Sequence, residues 1–210
     1  MKRLIVSLVT TVLVALLGIV GLKMFSGKGP REHVKTESGS NVVMEELSFY
    51  RGGTKVFGKV VKPADENGSY PDSLGKRPVL LYFHEPLKTA YPESLMQELS
   101  ADGVIGYVTA FHGNEKDIEF IVKKISKEKF ADKDRMFIIA DSTSSSAAVK
   151  AAGKLGEAVS GLILIKPSLD DKAKATLRKL GYEVLGLNTS NKDVVYDNAS
   201  SYLEINGALK

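Results

Sequence analysis

The stretch MFIIADSTSSSAAVKAA, residues 136–152, decides the fold. An apolar run, Met136, Phe137, Ile138 and Ile139, meets a tight turn of small residues around Ser142, and an Ala-rich segment of helical character follows at once. A strand hands a serine to a helix N-terminus in this way, and the arrangement exposes a nucleophile. Such a serine needs an imidazole to take its proton. The histidines are His33, His84 and His112, all upstream of Ser142. The nucleophile's setting is present and a downstream base is not.

On either side of this stretch the pattern alternates. Residues 79–83 (VLLYF), 104–111, 161–165 (GLILI) and 183–187 read as strands. Continuous apolar runs of that length fit strands buried on both faces. Between them, Tyr91, Leu95 and Leu99 mark one helix, and Ile118, Ile121, Val122 and Ile125 mark a second by their i, i+3, i+4, i+7 spacing. Ala173, Leu177 and Leu180 mark a third, and residues 194–203 a last helix. Residues 42–49 and 55–61 predict a hairpin around Arg51-Gly52-Gly53, and residues 62–77 read as loop. Strands alternating with helices from Val79 onward predict an α/β fold: a mostly parallel sheet with helices on both faces.

The length of 210 residues leaves room for one domain with a substantial core. The net charge of +4 belongs to the N-terminus. Setting aside Lys2, Arg3, Lys23 and Lys28 leaves 25 basic residues against 25 acidic ones, so the charge gives no reason to expect nucleic-acid binding. The chain has no cysteine, which excludes a disulfide framework, a thiolate metal site, a cysteine nucleophile and a lipidated cysteine. The histidines are too widely spaced for a metal-ligating motif, and no Gly-x-Gly-x-x-Gly phosphate loop occurs. Neither a metal nor a cofactor is expected.

Residues 4–22 carry no charge and are mostly Leu, Val and Ile, with Lys2 and Arg3 ahead of them. Such a segment, at ~1.5 Å rise per residue, spans the hydrocarbon core of a bilayer. It is longer than a signal-peptide core, and no small-x-small cleavage site follows it. The expectation is an uncleaved signal anchor over residues 1–25 that crosses the cell membrane once, with the N-terminus inside. A polar tether over 26–41 and an extracytoplasmic domain over 42–210 follow. Cleavage and secretion are the alternative.

The order of segments resembles the α/β-hydrolase superfamily, specifically its bacterial esterase and dienelactone-hydrolase-like members. KRPVLLYFHE resembles the strand that usually ends in His-Gly, and SADGVIGYVTAFHG the next core strand. KDRMFIIADSTSSSAAVKAA resembles the nucleophile strand, turn and helix, and VLGLNTSNKDVVYDNASSYL the segment that carries the acid. The resemblance runs from about Val43 to Leu203. It implies Ser142 at the nucleophile position, between Ala140 and Ser144 in place of glycines, on strained backbone. The competing structural reading is that Ser142 to Ser146 cap the helix.

The resemblance further implies Asp193 at the acid position, although an aspartate there also suits a cap for a helix starting at Val194. The oxyanion site would use the amide of Thr143 and an amide from the loop His84-Glu85-Pro86. Pro86 has no N–H to offer, and Glu85 would set a negative charge beside the developing oxyanion. One lost donor costs about 3–4 kcal/mol of transition-state stabilisation. The strand and histidine implied beyond the last helix do not appear before EINGALK, and the usual lid region, residues 166–180, is short. His84 and His112, at the ends of neighbouring strands, are the candidates for a relocated base. The expected function is a membrane-anchored, catalytically inactive binding or scaffolding protein with an unidentified small-molecule or protein ligand. The alternatives are an active serine esterase built on Ser142 and a relocated histidine, or a gene fragment completed by a neighbouring reading frame.

Overall fold

The computed structural model describes residues 31–209 apart from 38, 88 and 112. An eight-stranded sheet runs through the molecule in the order β1-β2-β5-β7-β6-β8-β9-β10. Its strands are β1 (Arg31–Lys35), β2 (Asn41–Glu46), β5 (Lys59–Pro63), β6 (Arg77–His84), β7 (Ile105–Ala110), β8 (Ala131–Ala140), β9 (Gly161–Ile165) and β10 (Val184–Leu187). β7, β6, β8, β9 and β10 are mutually parallel. β1, β2 and β5 join antiparallel on the β7 side. A separate small hairpin, β3 (Phe49–Arg51) and β4 (Thr54–Val56), turns at Gly52 and Gly53, whose φ of 54° and 84° suit a tight two-residue hairpin turn.

Helices cover both faces. α1 (Ala90–Ala101) and α5 (Lys192–Ile205) pack on one, and α2 (Glu115–Ile125), α3 (Ser145–Leu155) and α4 (Asp171–Leu177) on the other. Strand alternation divides the core accordingly: Val79, Leu81 and Phe83 of β6 pack with Ile118, Val122 and Val149, whereas Leu80 and Tyr82 pack with Leu95, Leu99 and Leu203. The apolar run 79–83 is buried on both sides for this reason. Local chemistry starts the helices: Asn114 and Asp117 form a reciprocal capping box on α2, and Asp170 caps α4.

Three expectations change. Part of the expected tether is structured, since residues 31–35 form β1 on the sheet edge. Arg31 reaches Glu45 at 2.8 Å, and Glu45 also holds the buried Lys62 at 2.9 Å. A charge on each neighbouring strand makes that edge self-complementary, which composition does not disclose. The hairpin expected over 42–61 is divided: β2 pairs with β5, and β3 and β4 project as a second ribbon. β8 begins at Ala131, ahead of the apolar run at 136, because its first half pairs with Arg77 at the sheet's rim while staying partly exposed. Among the described residues no helix is long and apolar enough to cross a membrane, and residues 4–22 lie outside them.

Candidate active site

The sheet's order reverses at β6, which is followed in sequence by β7 on one side and later by β8 on the other. In open α/β sheets ligands bind at the carboxyl ends of strands beside such a reversal. β6 ends there in His84 and leads to Glu85 and Pro86; β8 ends in Ala140 and leads to Asp141 and Ser142.

The turn after β8 differs from the strained elbow the sequence suggests. Lys166 is the only non-glycine residue with positive φ among the described residues, so Ser142 sits in ordinary backbone. The chain enters the helix early: the amides of Ser144 and Ser145 both donate to the Asp141 carbonyl. A helical turn beginning at Asp141 relieves the strain that a sharp elbow would impose. The serines after Ser142 are anchors. Ser144 is fully buried and its hydroxyl donates to the Phe83 carbonyl at 2.6 Å. Ser145 and Ser146 fasten α3 to the loop after β9, receiving the amides of Ser168 and Asp170.

The decisive group is Asp141, which the sequence reading passed over. One of its carboxylate oxygens accepts from the Glu85 amide at 2.7 Å; the other accepts from the Thr143 amide at 3.1 Å and the Thr143 hydroxyl at 2.8 Å. Thr143 is a position to which the resemblance assigns an oxyanion donor, and Glu85 lies in the loop His84-Glu85-Pro86 to which it assigns the other. Both amides converge, and a carboxylate of the chain itself bridges them. Pro86 supplies no donor, but the amide aimed at the site is that of Glu85, one residue earlier. Asp141, on the turn itself, sets a carboxylate against these amides. A second anion forming at this point would find its donors engaged and a like charge beside it.

Ser142 lines a cavity of about 490 Å³ with Tyr82, Tyr91, Asp141, Ile165 and Lys166. Its hydroxyl has no hydrogen bond among the described residues. The Tyr91 hydroxyl is buried without a partner among the described residues, and burial pushes its phenol up to about 12, so it remains a protonated donor at neutral pH. Tyr82 is raised further by burial, and the nearby Asp141 carboxylate acts in the same direction.

Among the described residues His84 does not complete a triad with Ser142. His84 is 2% exposed; its Nδ1 lies 2.8 Å from the Glu85 carbonyl, and its ring lines a different cavity from that of Ser142. Both cavities lie on the α1 side and sheet order separates them: that of His84 runs along β2, β5 and β7, and that of Ser142 lies toward β9. His112 lies outside the described residues, and the backbone of His33 belongs to β1, paired with Val43. Asp193 is exposed in the first turn of α5, bonds no histidine among the described residues, and is not the cap of that helix. Asn191 caps that helix, accepting from the amides of Asp193 and Val194, because it is the last extended residue before the first turn.

No protein-family model and no curated protein matches the sequence. Solved structures do resemble the fold. Est1E from Butyrivibrio proteoclasticus superposes with a TM-score of 0.59 at 10% identity, over 78% of this chain and 99% of that one. An S-formylglutathione hydrolase from Agrobacterium tumefaciens gives 0.55 at 10% identity, over 88% and 100%. The esterase domain of a Rhodothermus marinus protein gives 0.54 at 14% identity, over 68% and 74%. The chain has the α/β-hydrolase fold. At these identities the likeness speaks for the fold, and the site must be judged by its own chemistry.

Proposed function

We propose that this protein is a membrane-anchored α/β-hydrolase-fold protein that has no hydrolase activity and serves in binding or scaffolding outside the cytoplasm. One observation carries the reading: the Asp141 carboxylate bridges the amides of Glu85 and Thr143, where acyl transfer would need an empty pair of donors. The relaxed backbone at Ser142 and the placement of His84 in a separate cavity support it. A serine that His84 cannot reach lacks that base, and losing a triad member costs several decades of rate. The anchor rests on the uncharged run of residues 4–22, with residues 26–30 as the remaining tether.

The second reading, an active serine esterase with a relocated histidine, draws on one feature: Ser142 opens on a cavity beside the unpartnered phenol of Tyr91. One experiment separates the two. The full chain in detergent is exposed to a fluorophosphonate probe and to short-chain aryl esters, beside Ser142→Ala. The inactive reading expects neither labelling nor Ser142-dependent turnover. Stoichiometric labelling with turnover lost in Ser142→Ala would establish the esterase. For the anchor, the expected outcome is retention of residues 1–22 and resistance to alkaline extraction from membranes; a mature N-terminus near Ser26 would refute it.

A further inference from the structure

The cavity that holds His84 has a chemistry of its own. It encloses about 340 Å³ between the α1 face of the sheet and the first turn of α1, within the size range of small-molecule sites. Its walls include the apolar Met44, Phe57 and Val108. The ring of His84 lines it, almost wholly buried. With Nδ1 against the Glu85 carbonyl, the neutral ring carries its proton there and leaves Nε2 as an acceptor, which has no partner among the described residues. An acceptor on a nearly buried ring in the chamber wall can take a hydrogen bond from a ligand's donor.

The other end of the chamber is acidic. Glu32 and Glu46 line it, neither in an ion pair among the described residues. The cation present, Lys59, is held by both oxygens of Glu93 at 2.8 Å, so it offsets Glu93 and leaves Glu32 and Glu46 uncompensated. Strand alternation places Glu46, Lys59, Val108 and His84 on one face, on β2, β5, β7 and β6. Three strand spacings of ~4.8 Å and a two-residue offset along the strands separate Glu46 from His84, about 16 Å of backbone that the two side chains shorten from either end.

We propose that this chamber binds a small amphiphilic amine. Its ammonium lies at Glu32 and Glu46, its hydrocarbon body along Met44, Phe57 and Val108, and a terminal hydroxyl or amine donates to His84 Nε2. The chemical class is aliphatic amino alcohols and diamines of about six carbons. Anions are rejected by the carboxylates. The site stands whether or not Ser142 turns over esters.

The test is calorimetric titration of the full chain in detergent with four matched probes. 6-Amino-1-hexanol carries both recognised groups, hexylammonium lacks the terminal donor, 1,6-hexanediol lacks the charge, and 6-aminohexanoate places an acceptor against His84. Binding should be strongest for the amino alcohol, about tenfold weaker for hexylammonium, as loss of one buried hydrogen bond implies, and absent for 6-aminohexanoate. His84→Phe should abolish the preference for the amino alcohol over hexylammonium. Glu46→Gln should weaken both amines and leave the diol unchanged. Equal binding of all four probes, no binding of the amino alcohol, or a preference that survives in His84→Phe overturns the proposal. If His84→Phe does not fold, the ring nitrogen resonances of His84 in the native protein decide: a shift of Nε2 on adding the amino alcohol supports the site, and an unmoved signal refutes it.

Discussion

Asp141 and the serines behind it show how one turn can keep a nucleophile's sequence while serving a different purpose. Ser142 is half-buried and its hydroxyl makes no hydrogen bond among the described residues, yet Ser144 and Asp141 make the bonds that hold β8 to β6 and the loop after it. Removing a buried donor strands its acceptor, whereas removing an unbonded hydroxyl strands nothing. Ser144→Ala should therefore lower unfolding free energy by about 1–3 kcal/mol, leaving the Phe83 carbonyl unpaired. Ser142→Ala should change it by less than about 0.5 kcal/mol. Urea denaturation of the two variants side by side checks this. The serine run itself was legible in the sequence. Which serine is an anchor was not, because the Phe83 carbonyl lies 61 residues away from Ser144 and reaches it only through the β6–β8 pairing.

At the level of elements, charge determines how edges and helix starts are held. β1 and β5 each contribute a cation to Glu45 on β2, and Lys62 and Glu45 are both about 6% exposed at the side chain. Breaking a buried pair from one side is costlier than never having made it. Glu45→Ala should cost about 3–5 kcal/mol, and Glu45→Ala combined with Lys62→Met should recover much of that, as a double-mutant denaturation series would show. At the start of α4 the Lys150 ammonium beside Asp170, together with the Ala173 amide, holds that carboxyl below its usual range. A carboxyl lowered on folding adds stability above its unfolded value, about 3.9, and loses it as pH falls through the depressed folded value. The stability gap between the native protein and Asp170→Asn should thus be constant near neutral pH and close below about pH 4, read from urea midpoints across a pH series.

Across the whole molecule, the segment ahead of β2 matters more than its polar composition suggests. The Glu37 amide donates to Glu98 on α1 at 2.8 Å, and the Glu37 carboxylate meets Lys192 on α5 at 2.6 Å. The β1–β2 turn therefore clasps the two helices of one face. A chain starting at residue 31 should match the full domain in stability. One starting at residue 41 loses the clasp and bares the edge of β2, whose Val42 to Glu45 are buried. It should lose on the order of 2 kcal/mol and self-associate through the exposed edge, measurable by denaturation and size-exclusion chromatography.

The alternation of apolar runs with 3.6-residue periodicity indicated the α/β class and located the apolar part of each parallel strand, though not β1 or the first half of β8, because these patterns are set by which side chains a single element must bury. The same local reading placed Ser142 at the strand-to-helix turn and Glu85 and Thr143 near one another through the family resemblance. It had no means of finding that Asp141 would bridge their amides, since Glu85 and Asp141 are 56 residues apart in sequence. Nor could it turn His84 toward a chamber shared with Glu46. Both outcomes depend on which strands become neighbours and on which face each strand's last residue points. Only sheet order and pleat decide that.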